Sequence, residues 1–113
     1  MKLYHRDVYM PPLNLKDQTV PVRYTIHAMN EACNDPYADE IVMPAEINLA
    51  KVDIFEIGVE RGEVAKVAFR MDYDVEFDLC MVVTIPELRV KTLWLNCKDD
   101  DHNTLDPTRY EQR

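Results

Sequence analysis

The chain has 113 residues, 47% of them apolar, with 13 Lys and Arg against 21 Asp and Glu and a net charge of −8. That length supports one core, residues 1–113 as a single domain, and not two. The acidic excess repels polyanions and disfavours general binding to RNA, DNA or anionic lipid. The longest nearly apolar run, Leu79 to Pro86, is about eight residues, whereas a membrane-spanning helix needs roughly 20. His5, Arg6 and Asp7 lie where a secretion signal would be apolar, so a cytoplasmic protein without a membrane partner is expected.

From Met1 to Pro21 no period is sustained, although Lys2 to Met10 fits a short edge strand stopped by Pro11 and Pro12. Val22, Ile26, Met29 and Cys33 follow at helical offsets on one stripe, and Asn34-Asp35-Pro36 supplies a stop, which predicts the main helix over 22–34. Residues 35–50 read as a connection with one further helical turn around Pro44 to Leu49.

Four strands fit the stretch 51–97, where β-branched and aromatic residues rise and turn signals recur about every ten residues. The first, 51–59, sets Phe55, Ile57 and Val59 against Glu56 and Gly58. A tight hairpin at Glu60-Arg61-Gly62-Glu63, with Gly62 free to take positive φ, leads to the second, 63–72, which alternates Ala65, Val67, Phe69 and Met71 against Val64, Lys66, Ala68 and Arg70. The third, 77–86, is apolar on both sides, as a central strand would be. The fourth, 88–97, carries Trp94, expected to anchor the core. The tail 98–113 is polar. The fold class expected is α+β: a four-stranded antiparallel sheet, five-stranded if the N-terminal arm joins, with one main N-terminal helix packed on one face.

Lys66 and Arg70 lie four residues apart on one strand, so they share a face about 13 Å apart, and Lys91 or Arg89 on a nearby strand can join them. Cations converging on a sheet face suit a phosphodiester, whose oxygens gain charge in the transition state; the alternative is cross-pairing with Glu56, Asp72 or Asp78 on a solvated face. His27 and His102 titrate near neutral pH and are candidates for proton transfer, each with a plainer alternative as a helix-flank or tail residue. His5 receives no role. The run Asp99-Asp100-Asp101-His102, with Asp72, Asp74 or Asp78, offers oxygen and imidazole donors, but its spacing fits no metal motif, and a solvated acidic loop is the expectation. Cys33, Cys80 and Cys97 have no zinc or disulfide spacing and read as buried free thiols. No nucleotide-binding or hydrolase motif is present, and no cofactor is expected.

A helix with the pair His27-Ala28, followed by a meander bearing Lys66 to Arg70 on its second strand, resembles the small RelE-type domains of the metal-independent ribonuclease toxins. The stretch Lys91-Thr92-Leu93-Trp94-Leu95-Asn96, with Asp101-His102, Thr104-Leu105-Asp106 and Tyr110, is similar to the C-terminal portion of uncharacterised tailed-bacteriophage proteins; together the likeness spans about residues 22–110. It implies an RNA-binding or RNA-cleaving protein of phage origin working in the host cytoplasm. Lys66, Arg70 and Lys91 would stabilise the phosphate and His102 or Tyr110 would move a proton, with RNA or a ribosome as partner. RelE-type toxins are usually strongly basic, and this chain is acidic. The rival is a non-catalytic acidic interaction module, a phage accessory protein binding a host protein through its acidic edges or tail. A homodimer formed by edge pairing of the fourth strand is a further expectation.

Overall fold

The computed structural model describes residues 1–7, 18–85 and 87–100. The strands are β1 (Lys2–His5), β2 (Val20–Pro21), β3 (Arg23–Tyr24), β4 (Glu46–Ile47), β5 (Asp53–Glu60), β6 (Glu63–Asp72), β7 (Phe77–Thr84) and β8 (Arg89–Cys97), with one helix, α1 (Ile26–Ala32). Six strands form one sheet in the order β1-β5-β6-β7-β8-β3, while β2 and β4 pair separately. All pairings are antiparallel except β3 with β8, which is parallel. The expected α+β class is therefore corrected: the described residues are mostly sheet, six-stranded and mixed, with a single seven-residue helix among them in place of a main one.

Strands β5 to β8 occupy the four stretches expected between 51 and 97. The β5–β6 hairpin turns through Arg61 at φ 55° and Gly62 at φ 79°, the two positive values of the tight turn that matches strand twist. The N-terminal arm joins the sheet through β1, whose Tyr4 faces Ile57 in register.

The helix is shorter than its apolar spacing predicts because the chain before it is drawn into strands. The Val22 amide donates to the Ala45 carbonyl at 3.1 Å, and the Thr25 amide to Val90 at 3.0 Å, just past the β3–β8 pairing. Helical geometry begins only after Thr25, whose hydroxyl caps the Ala28 amide at 3.1 Å. Nor does the expected stripe face inward. Ala28 and Ala32 are fully buried, while Ile26 is 74% exposed and Met29 and Cys33 are also exposed. Small side chains let α1 lie close to β8, its principal neighbour. The turn expected around Pro44 to Leu49 is replaced by β4, and Ile41, Ile47 and Leu49 from this connection complete the cover over the sheet.

The core lies between that cover and one sheet face: Ile54 and Ile57 of β5, Val67 and Phe69 of β6, Leu79, Met81 and Val83 of β7, and Val90, Leu93 and Leu95 of β8. Register shifts alter the simple alternation. One between Ile54 and Glu56 takes Phe55 out of step, leaving it buried but outside this core, and one in β8 makes Lys91 the extra residue between Val90 and Thr92. Trp94 pairs with Cys80 on the opposite face and is only half-buried, so it does not anchor the core as expected. Among the described residues, no helix is long and apolar enough to cross a membrane.

Candidate functional site

Lys66 and Arg70 sit on the sheet face away from α1, in register with Thr84 and Cys80 of β7. Their side chains run in opposite directions across the sheet. The Lys66 stem crosses β5 at Gly58: a Cβ added to that glycine would meet Lys66 Cγ at 2.6 Å and Met1 Sδ at 2.8 Å. Arg70 turns the other way. Its Nε donates to Asp78 Oδ2 at 2.7 Å, and its terminal nitrogens donate to the Asp100 carbonyl at 3.0 Å and the Cys97 carbonyl at 3.3 Å. Only 9% of Arg70 is exposed.

Arg70 and the buried Asn96 together fasten the chain leaving β8. The Asn96 amide group donates to the same Asp100 carbonyl at 3.0 Å. Lys98 closes the network by donating to Asp78 Oδ1 at 2.8 Å and to Asp72, which lie directly opposite each other on β6 and β7. Burial alone would raise the Asp78 carboxyl, but hydrogen bonds from Lys98 and Arg70 outweigh it and hold the group below its ordinary value. The bonds to Asp72 and Asp78 in turn raise the Lys98 ammonium. Two cations and two carboxylates thus neutralise one another.

Lys91 is exposed at the β8 bulge and contributes its backbone carbonyl to the Thr25 hydroxyl at 3.3 Å. His102 and Tyr110 lie outside the described residues. The structure therefore keeps Lys66 and Arg70 on one face without directing them at one point, and leaves Lys91 out of their row. The suggested dimerisation strand is also not an open edge. β3 covers Arg89 and Val90, Thr25 takes the Lys91 carbonyl, and Asp35 Oδ2 accepts the Leu95 amide at 3.2 Å.

Two features escaped the sequence. Beside β8, a cleft of about 340 Å³ has Trp94 and Leu93 on one wall and His27, Glu31 and Asn34 on the other. Glu31 sits 3.3 Å from His27 Nε2 and accepts from the Thr92 hydroxyl. The i, i+4 spacing of His27 and Glu31 is legible once a helix is assigned; the Thr92 contact is not. The second feature lies at the end of the sheet where the β6–β7 turn meets the residues after β8. A cleft of about 380 Å³ there is floored by Tyr37, Phe77 and Cys97, lipped by Val75 and rimmed by Glu76 and Asp99. It joins the two acidic segments, more than 20 residues apart in sequence, through the Lys98 amide, which donates to the Glu76 carbonyl at 3.0 Å. Among the described residues, no group of three His, Cys, Asp or Glu is placed to hold a metal ion. No family model, curated protein or solved structure matches the chain.

Proposed function

We propose that the protein is a non-catalytic interaction module of the cytoplasm, an accessory protein that binds a host protein through its acidic end. The observation that supports this over RNA cleavage is the divergence of Lys66 and Arg70: one lies across Gly58 toward Met1, the other is tied to Asp78 and to the Cys97 and Asp100 carbonyls. A phosphate-stabilising pair must aim its donors at one group of oxygens. Displacing Asp78 to free Arg70 would leave a carboxylate without one of its two cations and would take one of the donors from each of two carbonyls. The RelE-type resemblance keeps a ribonuclease as the rival reading, with the half-buried Lys66 as the cation of that row not tied to Asp78.

The acidic end favours partners by charge. Asp72, Asp74, Glu76, Asp78, Asp99 and Asp100 converge there against Arg70 and Lys98, a local excess that steers a basic surface and weakens as salt screens it. The test begins with affinity capture by the full chain and continues with the captured protein purified and rebound. Binding is expected to fall steeply between low and physiological salt, to fall again in Asp99→Asn with Asp100→Asn, and to survive Lys66→Ala with Lys91→Ala. Cleavage of RNA by the wild type, with or without ribosomes, and its loss in the Lys66→Ala variant would overturn the proposal.

A further inference from the structure

We infer that the cleft between the β6–β7 turn and the chain leaving β8 docks a short basic segment of a partner protein, one or two apolar side chains flanked by lysine or arginine. This rests on the interaction-module reading and specifies the chemistry of its partner.

The apolar part of the inference comes from side chains placed in water without a packing reason. Val75, at the tip of the β6–β7 turn, is 89% exposed, and Tyr37 is 56% exposed although its ring lies 5.0 Å from that of Phe77. The turn holds Val75 in a fixed position: Asp74 Oδ1 accepts the amides of Glu76 at 2.9 Å and Phe77 at 2.7 Å, and the Asp74 amide donates to the Phe77 carbonyl at 3.1 Å. A ligand meeting this lip has little loop-ordering cost to overcome.

Charge selects the occupant. Among the described residues no cation pairs with Glu76 or Asp99 on the rim, and Lys98, the cation lining the cleft, is already held by Asp72 and Asp78. A neutral or acidic segment would take water from the rim carboxylates without bringing a counter-charge. A second copy of this chain, meeting face to face about a two-fold axis, would set the same acidic rim against itself. A basic segment supplies the missing counter-charge at the rim while its apolar side chains cover Val75 and Tyr37.

The experiment titrates the ¹⁵N-labelled full chain with a capped Lys-Arg-Phe-Leu-Lys-Arg peptide, with a control carrying Ser for Phe and Leu, and with an acidic version carrying Glu for every basic residue. Amide shifts are expected at Tyr37, at Val75 to Phe77 and at Cys97 to Asp99 with the first peptide alone. Val75→Ser, harmless to folding at so exposed a position, should weaken binding about five- to ten-fold by removing buried methyls. Glu76→Gln with Asp99→Asn should weaken it at least as much. If Val75→Ser binds like the wild type while the neutralised variant does not, attraction is by charge alone, and the cleft is overturned while the module reading stands. Equal shifts with the Ser control, or concentration-dependent shifts at these residues without any peptide, also overturn it, the latter by identifying a second copy as occupant. Failure of the module reading itself shows separately, as RNA cleavage.

Discussion

An arginine nine-tenths removed from water is not a spare positive charge, because desolvating a guanidinium costs several kcal/mol unless a carboxylate and acceptor oxygens replace the water. Arg70 has these in Asp78, Cys97 and Asp100, and its role follows from them. Asp78→Ala should therefore destabilise the protein by about 3 kcal/mol, the cost of leaving a buried charge without its partner, as read by denaturant unfolding; a loss under about 1 kcal/mol would mean the pair is incidental. The same pair gives a pH signature. Asp78 titrates below its ordinary value of 3.8 in the folded chain, so the stability it contributes is full above that value and is lost as pH falls through the lower folded one. Asp78→Asn should flatten this acid limb of the stability curve, measured from pH 6 downward; an unchanged limb would remove Asp78 as its source.

At the scale of elements, the four long strands were legible because alternation and turns are local: Arg61-Gly62 ends β5, and Val67, Phe69 and Met71 mark the inner face of β6. Elements made by distant partners were not. β3 has two residues and exists through its parallel pairing with Arg89 and Val90, and β4 exists through Val20 and Pro21. Tertiary pairing overrode the helical spacing from Val22, and the bulge at Lys91 moved Trp94 off the core. The divergence of Lys66 and Arg70 was not legible for the same reason: four-residue spacing places them on one face but is silent about where long side chains lean. For Lys66 the direction depends on Gly58, and this can be tested. Gly58→Ala should destabilise by about 1–3 kcal/mol through overcrowding against the Lys66 stem, and Lys66→Ala in the same chain should recover most of it. Additive losses in the double-mutant cycle would mean the crowding lies elsewhere, with Met1 the other neighbour.

Across the whole molecule, the charge of −8 is not spread to minimise repulsion. The internal ties at the β6–β7 end, Arg70 and Lys98, answer Asp72 and Asp78, whereas Glu76 and Asp99 stand at the rim without a cation among the described residues. If those two carboxylates served the fold, neutralising them would weaken it. If they serve a partner, neutralising them removes only repulsion from nearby like charges, a surface effect of about 0.5 kcal/mol or less that salt screens. Glu76→Gln with Asp99→Asn is thus expected to leave the unfolding midpoint unchanged or slightly raised at low salt, with the difference vanishing at physiological ionic strength, in the same variant that loses binding to the basic peptide. A clear drop in the midpoint would assign the rim to stability, and the loss of binding would then follow from damage to the turn that presents Val75.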